Sequence, residues 1–155
     1  MSSIRSYKGI HPQIGERVYI DSTSVIVGDI RIGDDSSIWP LVAARGDVNH
    51  IHIGARTNIQ DGSVLHGCDI HDRVLVGMGA IVLDAVVVES DVMIGAGSLV
   101  PPGKRLESGY LYVGSPVKQA RPLSEKERAF LQKSADNYVQ NKNDYLNEVK
   151  DLHER

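Results

Sequence analysis

Aliphatic residues recur at every sixth position through most of this chain, and that period dictates what the chain can fold into. The first run is Ile14, Ile20, Ile26, Ile32, Ile38 and Ala44. After a three-residue offset it resumes at Ile53, Ile59 and Leu65, and after one short step it continues through Ile70, Val76, Val82, Val88, Ile94 and Val100. Fourteen of these fifteen positions are Ile, Leu or Val, where the 43 such residues among 155 predict about four by chance. A period of six fits neither the 3.6 of a helix nor strand alternation over a sandwich. It fits a coil with three flat faces, eighteen residues per turn, each face a short strand ending in a corner. The fifteen positions then make five coils, starting near Ile14, Ile32, Ile53, Ile70 and Val88, with each aliphatic side chain stacked on its equivalent one coil away. Gly15, Gly33, Gly54, Gly77 and Gly95 each follow such a position, where a corner rewards a residue that tolerates positive φ and crowding.

Pro101-Pro102-Gly103 reads as the end of the repeat, because proline cannot donate to a ladder. A loop follows, through Gly114-Ser115-Pro116 to Pro122. Ser124-Glu125-Lys126-Glu127 then has the form of a capping box, with Ser124 as N-cap and Glu127 three residues into the turn. Beyond it Leu131, Ala135, Tyr138, Lys142, Tyr145 and Val149 fall at three- and four-residue spacings, which predicts one amphipathic helix over roughly 125–150. The organisation expected is a coil domain with its closing loop over 1–123 and a helix over 124–155 that packs on it.

Charge and composition exclude several functions. A net charge of −3 leaves no electrostatic footprint for nucleic acid or an anionic membrane surface. No apolar run reaches membrane-spanning length, and residues 1–8 contain no apolar signal core. Cys68 is the single cysteine, so no disulfide can form within the chain, and a cytoplasmic, reducing location is the expectation.

Several segments carry a more specific signature. They are Ile38-Trp39-Pro40, Arg45-Gly46-Asp47-Val48, Ile53-Gly54, Asn58-Ile59-Gln60-Asp61-Gly62, Val64-Leu65-His66 running into Gly67-Cys68, Val76-Gly77-Met78-Gly79, and Ser108 through Pro116. Together they resemble the γ-class carbonic anhydrases over nearly the whole chain. The resemblance implies an all-β, left-handed parallel β-helix of hexapeptide repeats with one C-terminal α-helix. It also implies a homotrimer with zinc at the subunit interfaces, each ion held by three histidines from two subunits. Zinc-bound hydroxide would hydrate carbon dioxide to bicarbonate, a lyase reaction. By the same resemblance His66 is a metal ligand, and Gln60, Asn58 and Tyr110 belong to the catalytic surroundings. Arg45, Asp47 and Asp61 form an interface ion-pair set.

The chain departs from that pattern where zinc would bind. The family's other two ligands lie in an aliphatic-Gly-His setting and in a Leu-His-Gly-Cys segment one coil on. Here a single Leu-His occurs in the repeat, Leu65-His66, and Gly-His does not occur at all. The left flank of Leu65-His66 resembles the first ligand segment and its right flank the last, as if one coil and its loop were absent. One imidazole holds a divalent ion only weakly. His50 and His52 alternate on one segment and could share a face, but their place in the three-residue offset points to a solvated corner. His11, His71 and His153 have no ligand spacing, and Cys68 reads as a small buried apolar residue. Three functions therefore remain open: a zinc carbonic anhydrase, a non-catalytic trimer that keeps the shell, and a hexapeptide acyltransferase with His66 in an intersubunit cleft.

Overall fold

A computed structural model describes residues 3–153, with several helix side chains beyond residue 133 outside the described set. The periodic residues pile up in three columns. On the first face Ile14, Ile32, Ile53, Ile70, Val88 and Leu106 pair rung to rung. On the second face the column is Ile20, Ile38, Ile59, Val76, Ile94 and Tyr112. On the third it is Ile4, Ile26, Ala44, Leu65, Val82 and Val100. Every rung-to-rung pairing in these columns is parallel, and the fold is a left-handed β-helix of about six turns. Burial is complete along most of its length: Ile38, Ile59, Leu65, Val76, Val82, Val88 and Ile94 are all fully buried. Each contributes on the order of 1.5–3 kcal/mol relative to exposure. Ile14 stays exposed because it stands on an end rung.

The columns run on past Pro101-Pro102, where the sequence predicts their end. Leu106 and Tyr112 are the sixth- and twelfth-place successors of Val100, and both are buried. The proline pair stops only the third face. Leu83, one coil above Pro101, donates its N–H to Val100 at 3.2 Å. Val100 is the last member of the third-face column, so Pro101 has no rung below it to receive a donor. Gly103 meanwhile bonds Asp84 O at 2.9 Å, and the coil continues.

The glycines after the periodic positions also play a narrower part than expected. Gly15, Gly33, Gly54, Gly77 and Gly95 do not have positive φ. Their need is space: a Cβ on Gly33 would lie 2.6 Å from the backbone nitrogen of Ala55 in the next coil. The left-handed residue comes two places later, at Arg17, Asp35, Arg56, Gly79 and Gly97, and the first-face corners of the later coils place Arg73 and Asp91 in the same conformation; the five charged residues have φ of 52–59°. Cross-coil ion pairs hold two of these corners, Arg17 to Asp35 at 2.7 Å and Arg73 to Asp91 at 2.9 Å.

The C-terminal helix, Glu125–His153, lies along the second face. Ser124 caps it as the sequence implied. The Ser124 N–H donates to Glu127 Oε1 at 3.0 Å, and the Glu127 N–H donates to Ser124 Oγ at 3.1 Å. Leu131 is buried against Leu75 and Leu123, with Met93 and Leu111 beside them. Further along, Tyr145 meets Tyr19 and Trp39 at ring separations of 6.3 and 6.0 Å, and Arg56 pairs with Asp136. The side chains of Ala135, Tyr138, Lys142 and Val149, assigned to the apolar stripe from sequence, lie outside the described residues. No described helix is long and apolar enough to cross a membrane.

The corner and cap chemistry can be tested by substitution. Gly33→Ala should destabilise by about 1–3 kcal/mol through the forced contact with the next coil. Ala85, left-handed at φ 59° between Gly67 and Gly103 in the neighbouring coils, should do the opposite. Ala85→Gly should raise the urea midpoint by the equivalent of about 1 kcal/mol, and a fall would contradict the corner assignment. Arg121 and the Ser124 cap hold the Glu127 carboxyl down to about 2. Because its folded value is depressed, the stabilisation it gives is present above its unfolded value near ~4.3 and is lost as pH falls towards ~2. Urea midpoints taken from pH 6 to 2 should therefore fall less steeply for Glu127→Gln than for the parent chain.

Candidate functional site

The irregular part of the coil is the corner between the third and first faces, where both breaks in the six-residue period fall. Strand Ala43–Ile53 turns this corner in nine positions, from Ala44 to Ile53, and its register against Val25–Ile32 shifts after Gly28. The extra residues bulge outward, leaving Val48, Asn49 and His50 exposed. One coil on, the same corner is crossed in five positions, from Leu65 to Ile70. Gly67 makes the short turn with φ 55°, and the Asp84 carboxylate fills the place a Cβ would take. Cys68 packs inward there and is buried, as the sequence suggested, and burial pushes its thiol up to about 12.

On the third-face side of this corner stands His66, in register with Arg45. Its Nδ1 lies 2.8 Å from Asp84 Oδ1 and its Nε2 3.5 Å from Asp47 Oδ1. Neither approach has hydrogen-bond alignment, so His66 Nε2 and Asp84 Oδ1 are buried polar atoms without a hydrogen-bond partner. Arg45 pairs with Asp47 at 2.9 Å. That guanidinium, with the Val48 N–H at 3.0 Å, holds the Asp47 carboxyl below the usual carboxylate range. The result is a row of Arg45, Asp47, His66 and Asp84, alternating in charge character along one lip of the third face.

On the first-face side stands a second group, at the corner that the sequence marks as solvated. His52 and Asp69 are direct cross-rung partners, and both point outward. His50 Nε2 is 3.0 Å and His52 Nδ1 3.3 Å from the same oxygen, Asp69 Oδ1. The two rings lie 4.4 Å apart. Asp69 carries no motif in sequence; only the rung register brings it to the histidines.

The remaining site residues are spread out within one chain. Asn58 points outward from the second face, but the helix runs over that face. It is buried, accepting a hydrogen bond from Ser37 Oγ at 3.3 Å, so it faces no open site. Gln60 and Asp61 occupy the corner between second and third faces, the opposite edge of the third face from His66. Arg45 pairs with Asp47 rather than with Asp61. Tyr110 packs against the core on the last rung, three rungs beyond Gln60 and so about 14 Å along the axis.

The comparisons with known proteins agree with this architecture. Residues 11–43 match the bacterial transferase hexapeptide family (six repeats). Protein YrdA of Escherichia coli K12 is 55% identical over 174 positions, covering 94% of this chain and 95% of YrdA. The chain belongs to the hexapeptide-repeat β-helix family. Within it, gamma carbonic anhydrase 2, mitochondrial, of Arabidopsis thaliana is 36% identical over 83% of this chain, which spans 56% of that protein's length. The crystal structure of a hexapeptide transferase family protein from Anaplasma phagocytophilum superposes with a TM-score of 0.76 at 37% identity, covering 92% of this chain and 97% of that one. The alignment with YrdA is also informative for its gaps. Its 174 positions use only 94% of a 155-residue chain, so about 28 residues of YrdA have no counterpart here. That is the size of one eighteen-residue coil with a loop of about ten residues.

A three-histidine zinc centre does not fit the residues around His66. The imidazole meets two carboxylates, and no second described histidine shares its lip. The tight corner also has a chemical consequence. Cys68 should stay unlabelled by a thiol reagent at pH 8 in the native protein and react only on unfolding; rapid native labelling would show the corner to be open.

Proposed function

We propose that this chain forms a homotrimer of the γ-carbonic-anhydrase branch that keeps the shell and the charged edges of the intersubunit groove but not the three-histidine zinc. Its role is then that of a non-catalytic trimeric prism. The surroundings of His66 carry this reading: both ring nitrogens face carboxylates, Asp84 and Asp47, where a zinc centre needs further imidazoles.

The surface supports the oligomer. The outward residues of the first face include Arg31, His52, Asp69 and Arg105, and the helix covers the second face. The third face alone presents a continuous apolar row, Val25, Ala43, Val64, Ile81 and Leu99, with Val64 38% and Ile81 37% exposed. Three chains with this face towards a threefold axis bury that row. Their edges then meet in pairs, so that Arg45, Asp47 and His66 of one chain lie beside Gln60 and Asp61 of the next. That arrangement offers Arg45 a second carboxylate and His66 Nε2 a partner.

One observation favours a second reading, acyl transfer. An imidazole whose Nδ1 lies 2.8 Å from the Asp84 carboxylate and whose Nε2 has no hydrogen-bond partner would become a general base once a turn of the ring brought the Asp84 contact into hydrogen-bond alignment. Coenzyme A would then be the acyl carrier, and absence of calorimetric heat at millimolar coenzyme A removes this alternative.

Light scattering should give three chains per particle, and Ile81→Glu should shift it towards the monomer; a monomeric parent chain contradicts the trimer. With excess zinc, stopped-flow assays should show carbon dioxide hydration no faster than buffer. Acceleration that disappears in His66→Ala would overturn the non-catalytic reading in favour of zinc-hydroxide chemistry.

A further inference from the structure

We propose that His50, His52 and Asp69 bind one divalent transition-metal ion, of the zinc, nickel and copper class, on the first face. This site is separate from the His66 lip and does not depend on the reading of that lip. The period breaks build it. The three-residue offset carries His50 out of the wall two places before His52, so both rings leave the same side of strand Ala43–Ile53. The five-position step of the next coil then sets Asp69 directly opposite His52.

The geometry suits coordination. Ligands at about 2.0–2.1 Å from a tetrahedral ion are about 3.3 Å from one another. The contacts here are 3.0 Å from His50 Nε2 and 3.3 Å from His52 Nδ1 to Asp69 Oδ1, and all three donor atoms lie within 4.8 Å of one another. Little has to move. Two imidazole nitrogens and one carboxylate oxygen select borderline ions such as zinc, nickel and copper over calcium or magnesium, which take oxygen ligands. The rings and the carboxylate are 36–48% exposed, so the ion can enter from solvent. A cavity of about 290 Å³ lined by Asn49, His50, Gly67, Asp69 and Ala85 adjoins the group. Three protein donors leave at least one coordination position for water or a small ligand lodged there.

The test is calorimetric titration of the untagged, chelator-treated full chain with zinc and with nickel. One ion per chain is expected. His50→Ala, His52→Ala and Asp69→Asn should each weaken binding by at least about tenfold, with circular dichroism unchanged, while His66→Ala should bind as the parent does. Copper bound at the site should show nitrogen hyperfine splitting in its electron paramagnetic resonance spectrum, reduced in His52→Ala. No saturable binding, or binding that survives in both His52→Ala and Asp69→Asn, would overturn the site and leave the trimer reading untouched. Loss of binding in His66→Ala with retention in the other three would overturn this site and the non-catalytic reading together.

Discussion

The parallel backbone ladder from rung to rung is what the rest of the molecule hangs on. Down the second face Tyr19, Ser37, Asn58 and Leu75 each donate an N–H to a carbonyl of the next coil, at 3.0, 3.0, 2.9 and 3.0 Å. Such bonds form only if successive coils stay in register, and the inward aliphatics enforce that register. A slip of one residue would turn the whole buried column outward. Because each coil contacts only its neighbours, the structure behaves as a one-dimensional stack. A coil more or less changes the length of the prism and leaves the remaining rungs intact, which is how this chain can be about 28 residues shorter than YrdA through its aligned region and keep the fold.

The consequences concentrate at one corner. Wherever the period is six, the corner is tight and its outward residues are spaced like those of the coil above and below. Where nine positions meet five, the upper strand bulges and the lower one is drawn in, and polar side chains from different rungs crowd together on either side of Gly67-Cys68. His66 with Asp47 and Asp84 gathers on one side, and His50 and His52 with Asp69 on the other. The same five-position crossing that leaves His66 between two carboxylates also sets Asp69 opposite His52.

Much of the fold is legible in the sequence because the core is strictly periodic. The spacing alone places Ile14, Ile32 and Ile53 in one column, and residue type and offset place the Ser124 cap. Leu106 and Tyr112 escape the pattern because prolines interrupt it at a corner where nothing below requires a donor. The glycine positions are legible, but their reason is not: steric approach of the next coil is a property of the stack and left-handed φ is a property of the residue. The site is less legible. Asn58 matches a motif yet lies under the helix, and which face a helix covers depends on Leu75, Met93 and Leu111 lining up across three coils. Asp69 carries no local signal, since its neighbours in space are seventeen and nineteen positions away.

Everything turns on the rungs remaining stacked across the shortened coil. Methyl-resolved nuclear Overhauser spectroscopy on the isoleucine- and leucine-labelled protein tests this most directly. Adjacent rungs are about 4.8 Å apart, so cross-peaks are expected between the methyls of Ile53 and Ile70, with Ile32 adjoining Ile53 in the same column. Absence of an Ile53–Ile70 cross-peak while the Ile32–Ile53 one is present would mean that the stack breaks at Gly67-Cys68, and a continuous β-helix would be ruled out.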